Sequence, residues 1–301
     1  MNFLALLVGL GVERVLTHFF HLREFRWLDP LFEMVFGRIR SASRAGAVVE
    51  LVLVALLLTA PVGYVSLVLA GELRQVPGFV FAVLVLLFSL GPRDLQEEVH
   101  EYCAAVEAGA ADDTRRLAQE LAEHEQPEDP GARARDIERA IYVQANNRIF
   151  GVVFWFLLLG PAGPAGAWLF RVTDLMRRRA VCRDPGGQVP AAARLLHGLL
   201  AWLPARLMAA AFALAGSFGG AVAGWRAPRG DPPTAPVAFF EHTEDLIDRV
   251  GHGARGPAQA PAGVDAGTAP ASRSAMALVR RTLWLIWYPV IALLTLNNWV
   301  Q

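Results

Sequence analysis

An uncharged stretch with helix-breaking residues at its centre constrains this chain most. No charged residue occurs from Ile149 to Phe170, and the run is long enough to cross a bilayer. Its centre, residues 160–166, reads GPAGPAG, and prolines and glycines this close together interrupt a helix. Interrupted backbone at membrane depth is stable only where protein or water covers it. The run is therefore predicted to form a helix–break–helix hairpin packed among other helices.

The composition is typical of an integral membrane protein. Hydrophobic residues make up 54% of the 301 residues and charged residues 19%, whereas soluble domains carry about 25% charged residues. The net charge is zero, which gives no support to nucleic acid binding. Every basic residue apart from histidine is an arginine, so Schiff-base and P-loop lysine chemistry is excluded. Cys103 and Cys182 lack the paired spacing of a metal site and are expected to be free thiols.

Uncharged runs predict an all-α polytopic fold with about four clear transmembrane helices, near residues 2–20, 51–71, 76–90 and 282–301. The amphipathic, arginine-flanked segment 22–44 is expected to lie on the membrane surface. Arginine-rich connections favour the cytoplasm, which predicts that both termini lie on the other, periplasmic side. An alternative has six full spans, with 149–170 and 195–216 both crossing.

This pattern predicts five regions along the chain. They are an N-terminal membrane region (1–91), a cytoplasmic helical insertion (92–148), the broken hairpin with a further membrane helix (149–225), a cytoplasmic Gly/Pro/Ala-rich region (226–273) and a C-terminal transmembrane helix (274–301). Within the fourth region, residues 251–272 have low complexity and are expected to lack fixed structure.

Charged and amide side chains at the ends of the hairpin form a candidate ligand site. The predicted members are Asn146, Arg148, Arg171, Asp174 and Arg206. Guanidinium groups bind phosphates and carboxylates through paired hydrogen bonds, so the expected ligand is an anionic small molecule. The alternatives are that Arg206 pairs with Asp174 and only joins two helices, or that the charges are ordinary flanking anchors. No catalytic or metal-binding residue is predicted.

Several segments, in order along nearly the whole chain, resemble the CobD/CbiB and AmpE membrane families. The WLPARL stretch at 202–207 and the segment from Asn146 through Trp155, followed by LLLGPAGPAGAWLFR, are similar to both. Glu13-Arg14, Trp27-Leu28-Asp29 and the closing stretch from Ser274 to Thr295 are more similar to AmpE.

The two families imply different functions. CobD/CbiB proteins are ATP-using adenosylcobinamide-phosphate synthases, with a glutamate just before the asparagine and an aspartate shortly after it. Here Ala145 precedes Asn146, and Arg148 occupies the acidic position. Carboxylates usually hold the magnesium that accompanies ATP, so their loss does not favour synthase activity. AmpE-like proteins keep the asparagine–x–arginine pattern that Asn146-Asn147-Arg148 shows.

The resemblance to AmpE implies a non-catalytic regulator in the bacterial inner membrane. Such proteins are linked to β-lactamase induction and cell-wall signalling, which implies an unidentified protein partner besides the lipid bilayer. A nucleotide is a possible ligand, and no other cofactor is expected. The alternatives are a CobD-like synthase of altered or lost activity and, because the central helix is discontinuous, a small-solute transporter.

Overall fold

The computed structural model describes residues 29–38, 43–69, 75–90, 94–183, 187–227, 238–256, 268–290 and 292. Every regular element within these ranges is a helix, which confirms the predicted all-α class for this part of the chain. The chain divides into two compact units. The first contains Met1–Pro92, Asn147–Pro204 and Ile291–Gln301, and the second contains Arg93–Asn146 and Ala205–Val290. The predicted span at 2–20 and most of the span at 282–301 lie outside the described residues.

The α-helices follow one another with short connections. In chain order they are α1 (Asp29–Arg38), α2 (Arg44–Leu69), α3 (Gln75–Ser89), α4 (Leu95–Glu107), α5 (Ala111–Ala122), α6 (Pro130–Ala145), α7 (Gly151–Leu158), α8 (Gly163–Arg183), α9 (Gln188–Ala215), α10 (Phe218–Arg226), α11 (Ala238–Arg255) and α12 (Thr268–Thr282). Two π-helical segments, Asn146–Phe150 and Leu283–Trp287, and one 3-10 turn, Gly160–Ala162, join neighbouring helices.

Among the described residues, three helices are long and apolar enough to cross a membrane. They are Arg44–Leu69, Pro130–Leu158 and Gln188–Ala215, while the apolar helix Val76–Ser89 is shorter. The helix Pro130–Leu158 begins in the predicted cytoplasmic insertion and ends in the uncharged run. The helix continues there because no proline occurs between Ala132 and Leu158.

The central helix breaks within the glycine- and proline-rich segment, but over fewer residues than the composition suggests. Gly160 has φ 54°, a left-handed conformation that favours glycine, and Ala162 N–H donates to the Leu159 carbonyl at 3.0 Å. Pro164 is already in the first turn of α8, where a missing N–H breaks no helical hydrogen bond. The segment therefore forms one tight turn between α7 and α8.

The core of the first unit joins α1, α2, α8 and α9. Its buried members include Phe32, Leu51, Met176 and Ala192. Phe32 and Phe36 belong to the segment that was expected on the membrane surface, but they pack inside this core, because α8 covers the apolar face of α1. The guanidinium group of Arg179 on α8 lies over the Phe32 ring, 5.0 Å from its centroid.

The second unit contains a close helix pair formed by α10 and α11. Ser217 N–H donates to the Ala254 carbonyl at 2.6 Å, and the backbones touch where Gly220 faces Gly253. Gly251 to Arg255 and Thr268 to Ser272 were expected to lack fixed structure but are helical, and residues 257–267 lie outside the described residues. Small residues such as Gly253 lower the complexity of this part of the sequence. The same residues let α10 and α11 approach this closely.

Candidate functional site

The buried carboxylate of Asp174 organises a basic cluster in the first unit. Asp174 has no exposed surface, and Arg171 is 2% exposed. Nη1 of Arg171 donates to Oδ2 of Asp174 at 2.9 Å, and Nη2 of Arg177 donates to Oδ1 at 3.0 Å. Nε of Arg178 forms an ion pair with Oδ2 at 2.9 Å. Three arginines of one helix thus converge on the two oxygen atoms of Asp174.

Helical spacing explains why these residues meet. Relative to Asp174, Arg171 lies at i−3, and Arg177 and Arg178 lie at i+3 and i+4. Side chains at these separations share one face of an α-helix. Arg171 and Asp174 were predicted as site residues and Arg177 and Arg178 were not, although the same periodicity identifies them once α8 is assigned as a continuous helix.

His197 from α9 completes the cluster, and local sequence carries no signal for it. Its Nε2 lies 3.9 Å from Oδ1 of Asp174, and its Nδ1 lies 3.4 Å from Oγ1 of Thr173. The ring packs against Phe170, with centroids 5.0 Å apart. Thr173 is 1% exposed and its hydroxyl donates to the Phe170 carbonyl at 2.8 Å, so the geometry does not present it as a nucleophile.

The cluster keeps its carboxylate ionised. Burial alone would raise the pKa of Asp174, but the guanidinium groups of Arg178 and Arg177 hold that pKa well below its usual range. Arg171 and Arg177 each donate one hydrogen bond to Asp174, and a guanidinium group has five N–H donors in all. The arrangement is chemically suited to an anion, because it places three guanidinium groups on one helical face.

The other three predicted site residues do not all belong to the same unit. Asn146 and Arg148 lie in the π-helical segment and are 1% and 6% exposed. Asn146 and Arg206 belong to the second unit, Arg148 to the first. Arg206 is half-buried on α9. The hydrogen bond from Arg171 to Asp174 joins two of the five predicted residues. Among the described residues, no group of three His, Cys, Asp or Glu side chains is arranged to hold a metal ion.

A second buried carboxylate, Glu138 on α6, lies in the second unit and was not predicted as part of a site. Tyr142 O–H donates to its Oε1 at 3.1 Å, and Nδ1 of His252 lies 3.1 Å from the same atom. Nε of Arg255 forms an ion pair with it at 2.9 Å, and Arg255 also donates to Oγ of Ser274 at 3.1 Å. These contacts tie α11 to α6 and α12.

Cys103 in the second unit is a free and buried thiol, as expected for that cysteine. Its thiol lies 3.6 Å from the Ala269 carbonyl. Burial raises the pKa of the thiol to about 11, so the reactive thiolate is scarce at neutral pH. The side chain of Cys182 lies outside the described residues.

Asp248 on α11 is expected to make the stability of the protein depend on pH. Burial raises its carboxyl pKa to about 6, despite the opposing charge of Arg139. The unfolded value is about 3.9, so the folded state binds more protons between these values. Its contribution is fully present below about pH 4 and is lost as the pH rises through about 6, and we expect the free energy of unfolding to decrease by up to about 3 kcal/mol.

Chemical denaturation of the purified protein across this pH range measures the slope of the free energy of unfolding against pH. Asp248→Asn should remove it and should raise stability at pH values above the folded pKa. Asp112→Asn, an exposed acidic residue in the first turn of α5, is the matched control and should leave the slope in place. An unchanged slope in Asp248→Asn would assign the effect to other groups.

Comparison with known proteins bears on the identity of this chain. The family model described as regulatory signalling modulator protein AmpE matches residues 1–239, which is most of the chain and includes the Asp174 cluster. No curated protein matches it, and no solved structure matches it. The family match and the three helices apolar enough to cross a bilayer identify a membrane protein with a regulatory role. The chain belongs to the AmpE family of regulatory signalling modulators.

Proposed function

We propose that this protein is a bacterial inner-membrane regulator that acts in β-lactamase induction and cell-wall signalling. The match to a family of regulatory signalling modulators supports this assignment. Three helices of sufficient length and hydropathy support a place in the membrane. The regulator acts through a protein partner, because a signalling modulator passes its signal to another protein.

An anionic small molecule, with a nucleotide as one candidate, binds at the Asp174 cluster and sets the state of this regulator. The observation that carries this proposal is the convergence of three guanidinium groups on one buried carboxylate. Planar guanidinium groups bind phosphate oxygens through paired hydrogen bonds. The ligand contacts Arg177 and Arg178, since their side chains are 17% and 20% exposed while that of Arg171 is 2% exposed.

Binding and induction measurements on one set of variants test this function. Arg177→Gln/Arg178→Gln should weaken binding of a fluorescent ATP analogue about 10-fold or more, because each charge-assisted hydrogen bond contributes about 1.5–3 kcal/mol. The same variant should blunt β-lactamase induction in a host that lacks its own copy. Arg115→Gln/Arg116→Gln, on the exposed surface of α5, is the control and should behave as wild type.

Two outcomes separate the parts of the proposal. Normal induction in a variant that no longer binds the analogue would remove the ligand from the regulatory mechanism. Normal binding and induction in Arg177→Gln/Arg178→Gln would remove the cluster as the site. Arg148→Ala and Arg206→Ala, measured in parallel, test two of the remaining predicted residues.

The proposed topology places both termini in the periplasm and the arginine-rich connections in the cytoplasm. It rests on the positive-inside bias of the arginines that flank the apolar segments. Reporter fusions after Glu125, Gln188 and Pro261 should be active as cytoplasmic fusions, and one after Gln301 as a periplasmic fusion. A periplasmic signal at Gln188 would instead favour a single crossing by the uncharged run and the six-span arrangement.

A further inference from the structure

One end of the first unit lies where two candidate membrane spans begin. α2 begins at Arg44 and α9 at Gln188. The core places these beginnings beside the last turns of α8, because it includes Ala47, Ala180 and Ala192. A helix that crosses a bilayer enters it near its first residues, so this end of the unit is expected at the level of the lipid headgroups.

Arginines from three helices lie at this end. Arg44 is the first residue of α2 and is partly exposed, Arg194 is exposed in the second turn of α9, and Arg179 lies near the end of α8. The described acidic side chains on α1 and α2 are Glu33 and Glu50, and Glu50 lies more than one helical turn after Arg44. Among the described residues at these three helix ends, the charge is therefore mainly positive.

An exposed apolar stripe on α2 continues from the basic end. Val49, Leu53, Leu57 and Tyr64 share this stripe, and Leu57 is 73% exposed. Only 22% of the apolar window of this helix is buried within the protein. Such a surface is stable against hydrocarbon but not against water. A lipid with its headgroup beside Arg44 would lay its acyl chains along this stripe.

We propose that the basic end of the first unit binds anionic phospholipids. Arg44 and Arg194 each contact a lipid phosphate, and the acyl chains of the lipid at Arg44 lie along the exposed stripe of α2. Guanidinium groups prefer a phosphate that carries no compensating positive headgroup, so phosphatidylglycerol binds more tightly than phosphatidylcholine. This lipid site goes beyond the proposed function and does not require a ligand at Asp174.

Thermal unfolding in nanodiscs of stated composition tests the lipid site. The wild-type protein should unfold a few degrees higher in discs that contain phosphatidylglycerol than in discs of phosphatidylcholine alone, because a ligand that binds the folded state raises its stability. The shift should shrink at high salt, which screens charges at the membrane surface. Arg44→Gln/Arg194→Gln should lose most of the shift, while Arg115→Gln/Arg116→Gln should retain it.

Other results would overturn the proposal. An equal shift in wild type and Arg44→Gln/Arg194→Gln, or no shift in wild type, would exclude these arginines as a lipid site. Inorganic phosphate or glycerol 3-phosphate that reproduces the shift in phosphatidylcholine discs would show that a free anion, not a lipid, is recognised. Arg194→Gln alone, at an exposed position, keeps the test valid if the double variant does not fold. The readout is independent of β-lactamase induction, so this proposal and the proposed function can fail separately.

Discussion

Replacing Gly220 with alanine should destabilise the second unit strongly. A Cβ atom at this position would overlap the Gly253 carbonyl oxygen, which is a backbone atom and cannot rotate away. The reverse contact is equally close, because a Cβ on Gly253 would overlap the Gly220 carbonyl oxygen. Relief requires α10 and α11 to separate, and we expect a loss of about 3 kcal/mol or more. That is a large share of the roughly 5–15 kcal/mol by which folded domains are stable.

Gly219→Ala is the matched control for this substitution. Gly219 lies in the same helix, and a Cβ there would meet no atom within 4 Å. Alanine favours a helix over glycine by about 0.8–1 kcal/mol, so this variant should be as stable as wild type or slightly more stable. Thermal unfolding of the two purified variants gives the comparison. Equal stability of Gly219→Ala and Gly220→Ala would contradict the close packing of α10 and α11.

Replacing Asp174 with alanine should have a comparable effect on the first unit. The carboxylate is fully buried, and three guanidinium groups lie within 3.0 Å of it. Its removal leaves buried positive charges facing one another, and loss of one partner of a buried ion pair costs about 3–5 kcal/mol. Asp174→Asn keeps the shape but not the charge, so it should also be strongly destabilised. Denaturant unfolding at neutral pH measures both variants.

An exposed pair of the same type provides the control. Asp113 and Arg116 lie three residues apart on α5, with Oδ1 and Nη2 3.0 Å apart, but both side chains are more than half exposed. Water screens such a pair, so Asp113→Ala should change stability by about 1 kcal/mol or less. A small effect of Asp174→Ala, similar to that of Asp113→Ala, would mean that the buried cluster contributes little to the fold.

Some features of this protein follow from local sequence, because they depend on residues close together in the chain. The turn at Gly160–Ala162 occurs where glycine and proline interrupt the apolar run. Arg171 and Asp174 pair because three residues separate them on one helix. The match of residues 1–239 to the AmpE family confirms the resemblance that the ordered segments implied. The composition likewise indicated helices apolar enough for a membrane, of which the described residues contain three.

Other features were decided by contacts between residues that are distant in sequence. His197 reaches Asp174 only because α8 and α9 pack together, and no spacing rule connects the two positions. Phe32 and Phe36 look the same in sequence whether they face lipid or α8, and only the packing of α1 on α8 buries them. The segment from Gly251 to Arg255 has low sequence complexity, yet it forms a helix in which Gly253 packs against Gly220 of α10. Local sequence determined the helices and their breaks, whereas the packing of helix faces decided which side chains meet, because burial depends on partners that the local sequence does not contain.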